Sequence, residues 1–381
     1  MKKTVKLLSL IMLQAALMLA CATALFATER VILTSVQSRI SLNINMDATN
    51  ISIDWGDGTT DNIEQSNGLG FYHEYTNENS HTIVIEATNF KKLSCDYNQL
   101  TSLDVSGCTE LTHLDCSRCK LTSLDVSKNM ALKELFCNDN QLTSLDVSKN
   151  TALKELSCSY NQLTSLDVSK NTALKELVCW LNPLTSLDVS GCTTLTKLQC
   201  YDNQLTSLDV SGCTALTKLW CPKNQLTSLD VSKNTYLTEL WCGDNPLTSL
   251  DVSGCTALIT LWCGNNKLTS LDVSKNTELT NLYCSYNQLT SLDVSKNTEL
   301  TGLSCDGNQL TNLDVSKNTE LTRLYCSDNQ LTSLDVSRCA KLEILNVSNC
   351  KLLANLYCNY DKVKVITNGC DALSLPNSDE Q

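Results

Sequence analysis

The sequence is poor in the residues on which most enzyme active sites depend. It contains only three histidines, His73, His81 and His113, and no Ser/His/Asp or Cys/His arrangement can be assembled around them. It also lacks a glycine-rich loop of the kind that cradles phosphate. The serines of a recurring Leu-Asp-Val-Ser stretch repeat identically, which suits a scaffold and not a single active centre. We therefore predict a protein that is not an enzyme and needs no cofactor.

Positive charge and long hydrophobic runs are also scarce. The 381 residues carry 29 Lys and Arg against 41 Asp and Glu, which gives a formal net charge of -12 at pH 7. A scattered acidic charge argues against nucleic acid as a partner and favours solubility. The apolar run from Leu7 to Leu19 is too short and badly flanked for a membrane span, and no second such run follows. We therefore expect no transmembrane span.

The N-terminus has the features of a secretory leader, because three lysines precede that apolar run. We predict a signal peptide over residues 1–27 and an exported protein, either at the cell envelope and outer surface or secreted. Two processing sites compete. Ala22-Thr-Ala24 or Leu25-Phe-Ala27 suits an ordinary signal peptidase, whereas Met18-Leu-Ala-Cys21 resembles a bacterial lipobox and would place a lipid anchor on Cys21.

Cysteine, in contrast, is abundant and strictly periodic. Of the 22 cysteines, twelve recur with a constant step of 21 residues. A fixed period of this length predicts a solenoid, in which each repeat forms one coil and the coils stack. These ladder cysteines are Cys95, Cys116, Cys137, Cys158, Cys179, Cys200, Cys221, Cys242, Cys263, Cys284, Cys305 and Cys326.

Each repeat contains two related motifs. One copy reads Leu156-Ser-Cys158-Ser-Tyr-Asn161-Gln-Leu163, and the echo Leu166-Asp-Val168-Ser-Lys-Asn171 follows it. Because strand side chains alternate, the Leu and Cys of the first motif and the Leu and Val of the second should point inward. The frame L-x-C-x-x-N-x-L resembles the leucine-rich repeat, and the nested pattern resembles a short bacterial class common in Bacteroidetes surface proteins. The resemblance implies a β-rich solenoid over residues 91–361, with about twelve 21-residue coils and short parallel strands on two faces.

The polar positions of the repeat predict structural roles. Asn, replaced by Cys in some copies, is suited to satisfying buried backbone groups at two turns. The Asp of Leu-Asp-Val forms a ladder of like charges. We expect hydrogen-bonded structural aspartates there in preference to ordered calcium, because the glycine-rich repeats of calcium-binding rolls are absent.

The ladder cysteines should be reduced, buried thiols. The spacing of parallel strands is longer than the Cβ separation of a disulfide, and free buried cysteine behaves as a small hydrophobic residue. Cys116-Ser-Arg-Cys119 looks like half a zinc site, but Cys119 occupies a position that is Asn in most copies, so we predict no metal there.

Residues outside the repeats form two further segments. Residues 28–90 alternate in strand fashion, and Asp54-Trp-Gly-Asp-Gly-Thr59 with His73-Glu-Tyr75 resembles the W-G-D-G-T and H-x-Y signature of PKD-like domains. The resemblance implies a small β-sandwich-like domain, which is either a PKD-like β-sandwich or an N-terminal cap of the array. We predict a C-terminal cap and polar tail over residues 362–381.

The functional prediction comes from positions at which the copies differ. The outward residue before the ladder cysteine is aromatic in four consecutive coils, and small residues such as Gly243 and Gly264 should leave these rings open. The neighbouring charged position changes from Glu to Lys and back to Glu. Exposed aromatic patches commonly mark binding sites, although the rings could equally serve as sheet packing. The predicted ligand-binding residues are Trp220, Trp241, Trp262 and Tyr283, with Trp180, Tyr201, Tyr325, Lys197 and Lys218 beside them.

These observations predict noncatalytic recognition of a protein partner, of host or cell-surface origin, through the aromatic face. Carbohydrate binding on the same rings is the alternative. A structural surface spacer without a specific ligand is the third interpretation.

Overall fold

The computed structural model describes residues 28–373 apart from Met46, Asn67, Leu69 and Glu78. The predicted signal peptide, both processing sites, Cys21 and the tail from residue 374 onward lie outside the described residues. The chain divides into two compact units, Met1–Leu142 and Thr143–Gln381. All regular elements within the described residues are β-strands, and these residues include no helix capable of crossing a membrane.

The first unit contains two kinds of strand pairing. Its strands are β1 (Glu29–Ser35), β2 (Arg39–Ile44), β3 (Thr49–Asp54), β4 (Thr60–Gln65), β5 (Phe71–Glu74), β6 (His81–Thr88), β7 (Lys92–Ser94), β8 (Leu100–Asp104), β9 (His113–Asp115) and β10 (Glu134–Phe136). Strands β4, β3, β6, β1 and β8 form one sheet in that order, and β10, β9, β7, β2 and β5 are consecutive in another. The pairs β7–β9 and β9–β10 are parallel, as expected for stacked coils.

The segment before the repeats continues both faces of the first coil. Strand β1 pairs antiparallel with β8, and β2 pairs antiparallel with β7. Its inward side chains, such as Leu33, Ile53 and Ile83, are fully buried. An unpaired strand edge offers free N–H and C=O groups to other chains, and these antiparallel pairings close both edges. The boundary at residue 90 and the PKD-like nature of this segment stay predictions.

The second unit repeats one short strand per coil. Its strands are β11 (Glu155–Ser157), β12 (Ser165–Asp167), β13 (Glu176–Val178), β14 (Ser186–Asp188), β15 (Lys197–Gln199), β16 (Lys218–Trp220), β17 (Glu239–Trp241), β18 (Thr260–Trp262), β19 (Asn281–Tyr283), β20 (Gly302–Ser304), β21 (Arg323–Tyr325), β22 (Ser333–Asp335), β23 (Ile344–Asn346), β24 (Asn355–Tyr357) and β25 (Lys364–Ile366). Eleven of these strands form one parallel sheet, which we call the first face. Equivalent residues pair in register, so that Leu219 lies opposite Leu198 and Leu240.

The predicted β-rich solenoid is confirmed, with two differences. About 13 coils are present where about twelve were predicted. On the second face, the described part of this unit has regular strand pairs only at β12–β14 and β22–β24. In the other coils of this unit the Leu-Asp-Val stretch keeps its inward side chains but forms no regular strand, so the parallel strands of the second face are fewer than those of the first.

The core consists of the residues that the alternation predicted. In one coil, Leu219 and Cys221 of the first motif are fully buried, and Leu229 and Val231 of the second are 7% and 1% exposed. The described cysteines are free thiols, and all except Cys358 and Cys370 are buried. Burial raises the pKa of Cys221 to about 12, because the apolar interior disfavours the thiolate.

Asparagine side chains join the backbone of successive coils at the end of the first face. Nδ2 of Asn224 donates to the carbonyl of Cys221 in its own coil at 3.1 Å and to that of Cys200 in the preceding coil at 3.0 Å. Its Oδ1 accepts the N–H of Leu205 at 3.0 Å. One side chain therefore satisfies three buried backbone groups that no strand ladder reaches.

A second asparagine position does the same after the Leu-Asp-Val stretch. Nδ2 of Asn234 donates to the carbonyls of Val210 and Cys213 at 3.0 and 2.9 Å. Where the position is Cys213, its Sγ lies 3.4 Å from the carbonyl of Val189 and makes one weaker contact. These hydrogen bonds confirm the predicted role of both asparagine positions, which is to satisfy buried backbone groups at the turns.

The aspartate ladder is held by local hydrogen bonds. Oδ1 of Asp188 accepts the N–H of Ser190 at 2.9 Å, and Asp209 accepts that of Ser211 in the same way. Bonds from the backbone and hydroxyl of Ser190 lower the pKa of Asp188, because they favour the charged form. Within the described residues, no group of three His, Cys, Asp or Glu side chains is arranged to hold a metal ion.

Near the C-terminus the two motifs exchange faces. Strand β23, which carries the Leu345-Asn-Val347 version of the second motif, pairs with β21 and β25 in the first face. Strand β24, from the Leu356-Tyr-Cys358 version of the first motif, pairs with β22 on the second face. The stretch Leu345-Asn-Val-Ser-Asn-Cys350 is an extra half-unit in the sequence, and it shifts every later motif by half a coil.

The buried thiols should be unreactive in the native protein. In the absence of reductant at pH 8, a thiol reagent should modify only Cys358 and Cys370 among residues 28–373, because burial keeps the others protonated and inaccessible. In denaturant all of them should react. A low thiol count in denaturant would instead indicate disulfides between coils.

Two cysteine substitutions should differ in their effect on stability. Cys221→Ser buries a hydroxyl among apolar neighbours and should cost about 1–3 kcal/mol of unfolding free energy if that hydroxyl stays unpaired. Cys119→Asn should be neutral or stabilising, because it restores the residue that forms three backbone hydrogen bonds in the next coil at Asn140. Urea midpoints measure both. Equal midpoints would contradict the difference between the two positions.

Candidate functional site

Four predicted residues lie side by side on the first face. Trp220, Trp241, Trp262 and Tyr283 occupy equivalent outward positions of β16 to β19 and pair in register. The three tryptophans are half-buried, and Tyr283 is 39% exposed. We call these four residues the aromatic row. They are outward because each precedes an inward ladder cysteine, so the register of the core fixes their position.

The rings of the row are not equivalent. Trp220 and Trp241 stack with centroids 4.4 Å apart and planes 9° apart. Trp262 instead meets Trp241 edge-on, at 6.0 Å and 80°. Its indole lies against Gly243, where an added Cβ would be 2.8 Å from Cε2 of Trp262. The expectation that small neighbours leave the rings open is therefore wrong at this point, because the space over the glycine is filled by Trp262.

Trp180 and Tyr201 form a separate aromatic cluster. They stack at 5.0 Å and 10°, and Tyr160 meets Trp180 edge-on at 4.6 Å. No ring contact among the described residues joins this cluster to the aromatic row. The two predicted residues are therefore neighbours of each other and not an extension of the row.

Lys197 and Lys218 are engaged in ion pairs within the sheet. Nζ of Lys218 lies 2.7 Å from Oε1 of Glu239, whose Oε2 accepts the Nε1–H of Trp220 at 3.3 Å. Nζ of Lys197 lies 3.5 Å from Oε2 of Glu176. The charge reversal read from the sequence is thus balanced between adjacent coils, and the two lysines are not isolated positive charges.

One end of the aromatic row opens into a cleft of about 440 Å³. The residue that follows Tyr283 in the row is Ser304, so the wall of large rings stops there. The residues that line this cleft are Trp241, Thr260, Trp262, Gly264, Asn265, Tyr283, Ser285, Tyr286, Ser304 and Asp306. Tyr325 lies outside it and contributes to a smaller depression of about 80 Å³ together with Arg323.

A second glycine positions another wall of the cleft. The ring of Tyr286 lies over Gly307, where an added Cβ would be 2.5 Å from Cδ1 of the tyrosine. Tyr286 has a φ of 56° and is 58% exposed. Sequence reasoning missed this residue. The signal was the single glycine in a position that is otherwise Asp, Asn, Tyr, Lys, Arg or Leu, one coil after a tyrosine.

The polar wall of the cleft is organised around Asp306. Its Oδ2 lies 2.8 Å from the hydroxyl of Ser304 and 3.2 Å from that of Ser285. Its Oδ1 accepts the N–H and the hydroxyl of Ser327 at 2.9 and 2.7 Å. We call these four residues the Asp306 cluster. Sequence reasoning missed it, because each serine is unremarkable alone and only stacking of three coils brings them together.

Comparison with known proteins identifies the repeat. A family model described as leucine-rich repeats in two copies matches residues 131–171 and 237–276. The functional domain of InlJ from Listeria monocytogenes, which includes a cysteine ladder, is 41% identical to this chain with a TM-score of 0.61. The coils are leucine-rich repeats. The match covers 72% of this chain and 65% of the InlJ chain, which is less than two thirds of that protein's length.

Other solved leucine-rich-repeat structures are similar at lower identity. YopM, a leucine-rich effector protein of Yersinia pestis, is 26% identical, with 73% of this chain and 77% of that chain covered and a TM-score of 0.61. A leucine-rich-repeat protein of Leptospira interrogans is 24% identical, with 70% and 80% covered and a TM-score of 0.60, which supports the fold alone. No curated protein matches the chain.

Gly243→Ala should move Trp262. The new methyl group would be 2.8 Å from the indole, so the ring must turn away and the tryptophan emission spectrum should change. Crowding of this kind costs about 1–3 kcal/mol of stability. Gly254→Ala is the matched control, because that position carries Lys in other coils, such as Lys149 and Lys170, and does not contact an aromatic ring. Identical emission spectra for the two variants would contradict the packing of Trp262 on Gly243.

Proposed function

We propose that this leucine-rich-repeat protein recognises a protein partner without catalysis, through the aromatic row and the adjoining cleft. The cleft carries the proposal: it is concave, four of the ten residues that line it are aromatic, and its size falls within the range of ligand sites. Half-buried aromatic side chains at the centre of a surface are the residues that most often dominate binding energy.

The structure of the sheet favours this use. The row is mounted on parallel strands whose inward residues are fully packed, so its rings are held in place before a ligand arrives. The indole N–H of Trp241 is buried and donates no hydrogen bond within the described residues. This donor is shielded from solvent, so a ligand would contact the ring of Trp241 and not its N–H.

Carbohydrate binding is the second candidate. The stacked pair Trp220 and Trp241 presents aromatic surface, and polar side chains such as Asn265 line the adjoining cleft. The protein interpretation is preferred because the cleft extends over several coils, as an extended chain would require.

We also propose where the protein is located and what its N-terminal segments do. The leader over residues 1–27 supports export to the cell envelope, the outer surface or the medium, with a lipid anchor at Cys21 as the alternative to ordinary cleavage. The segment 28–90 would act as a PKD-like module and cap, and the nested 21-residue repeat supports a Bacteroidetes-like source.

Removing the central tryptophan should weaken binding more than it weakens the fold. Host-surface proteins and a glycan array supply candidate ligands, and each hit is titrated by calorimetry against Trp241→Ala. The expected loss is at least about 2 kcal/mol of binding free energy. The loss of unfolding free energy should be near the value of one or two ring contacts, about 0.5–1.5 kcal/mol each.

Tyr236→Ala is the control, because Tyr236 is 66% exposed and lies outside the row. It should leave the affinity unchanged. If Trp241→Ala also left the affinity unchanged, the row would be sheet packing only.

A further inference from the structure

The cleft carries a single charge, and that charge is negative. Asp306 is the only carboxylate among the residues that line it, and no Lys, Arg or His is among them. Asp306 also takes part in none of the ion pairs of the described residues. Lys197 and Lys218, in contrast, are both neutralised by adjacent glutamates. The negative charge in the cleft therefore forms no ion pair with a positively charged side chain within the part of the chain that the structure describes.

The polar wall beside this charge presents acceptors and not donors. Each serine hydroxyl of the Asp306 cluster has one proton. The hydroxyls of Ser304 and Ser327 point to the carboxylate, and that of Ser285 has Ser304 Oγ at 2.7 Å and Asp306 Oδ2 at 3.2 Å. The N–H of Asp306 is also used, since it donates to Ser285 Oγ at 3.1 Å. The carboxylate already accepts four bonds, so the cluster offers a ligand negative charge and serine lone pairs but no free hydroxyl proton.

The remaining walls offer aromatic faces. Trp241, Trp262, Tyr283 and Tyr286 all line the cleft. Among the described residues, neither tyrosine makes a ring contact with another aromatic side chain, and Tyr286 is packed on Gly307. Aromatic faces attract cations, and the attraction increases when the cation leaves water.

We propose that the cleft binds a lysine or arginine side chain of an extended peptide. The aliphatic stem would lie along the rings, and the ammonium or guanidinium would reach the Asp306 cluster, where its positive charge would lie beside the carboxylate. This inference rests on the proposed recognition of a protein partner and names the side chain that the partner must supply. The acidic net charge of the chain, -12, also attracts basic partners.

A neutral sugar satisfies the same walls less well. Each of its hydroxyls can donate one hydrogen bond and accept two, but the Asp306 cluster only accepts, so much of the acceptor capacity of the sugar would be unused there. A sugar would also leave the carboxylate charge uncompensated when it displaces water from the cleft.

The first experiment tests the charge requirement. The probes are the peptides acetyl-Gly-Ser-X-Ser-Gly-amide with X as lysine, arginine, norleucine or citrulline, so that each cationic side chain has a neutral partner of similar size. The full-length protein with ¹⁵N-labelled tryptophan has five indole N–H signals, which are assigned by single Trp→Phe replacements. The lysine and arginine peptides should shift the signals of Trp241 and Trp262 and leave those of Trp55 and Trp180 in place. The norleucine and citrulline peptides should bind about tenfold more weakly.

The second experiment removes the charge at constant shape. Asp306→Asn should weaken binding of the lysine peptide by about tenfold. Asp96→Asn is the matched control, because Asp96 occupies the same position of the repeat and accepts the hydroxyl of Ser94 at 2.8 Å in the way that Asp306 accepts that of Ser304. Tyr286→Leu, which removes one wall and leaves the cluster intact, should weaken binding even if Asp306→Asn lowers the melting temperature. Tyr160→Leu, at the equivalent position of another coil, should have no effect.

The outcomes separate this inference from the proposed function. Equal binding of the lysine and norleucine peptides would overturn the proposal that the cleft binds a basic side chain. Unchanged affinity for the lysine peptide in a folded Asp306→Asn variant would do the same. Tryptophan shifts with an oligosaccharide such as maltopentaose, without shifts from the lysine peptide, would also overturn it. In each of these cases an affinity loss with Trp241→Ala would still support recognition through the aromatic row. A basic peptide that binds with no dependence on Trp241 would count against both.

Discussion

The coils depend on the insertion of an asparagine side chain into the backbone of two successive coils. The first-face strands are only three residues long, so their ladders do not reach every buried amide and carbonyl of the turns. Asn224 supplies three such bonds with one side chain. Because buried backbone groups without partners are costly, these side-chain hydrogen bonds help to keep the Leu, Cys and Val core free of water. The cysteines that replace asparagine, such as Cys213, make a single long contact, so the hydrogen bonding between successive coils is weaker there.

Most of the fold could be predicted because one local rule recurs at every coil. The period of 21 fixes the stacking, and strand alternation fixes which side chains are inward, as the burial of Leu219 and Cys221 confirms. The second face could not be predicted in the same way. Ser-Leu-Asp is a paired strand at Ser186–Asp188 but has no regular structure at residues 207–209. Identical sequences cannot distinguish these two states, since small shifts between neighbouring coils decide whether the ladder forms.

The alternation of strand side chains was enough to predict the aromatic row from the sequence, but it was not enough to predict the cleft. Alternation places Trp220, Trp241, Trp262 and Tyr283 outward and in line, which is what the register shows. The cleft depends on directions that side chains choose after the backbone is set. Trp262 turns onto one glycine and Tyr286 onto another, and Ser304 ends the run of rings. Only Ser304 and Asp306 of the Asp306 cluster are close in sequence, and Ser285 and Ser327 each lie 21 positions from Asp306, so no local motif records the whole cluster.

The exchange of faces from residue 344 onward implies that neither motif is restricted to one face of the solenoid. Either motif can form either face, so the number of half-coils that precede a residue decides on which face it lies. Duplicating a full unit of 21 residues would displace the ligand site by one step and keep it facing the same way. Duplicating a half-unit ahead of the aromatic row would present the same rings to the opposite side. Selection on repeat number in such an array can therefore redirect binding without changing any residue that binds.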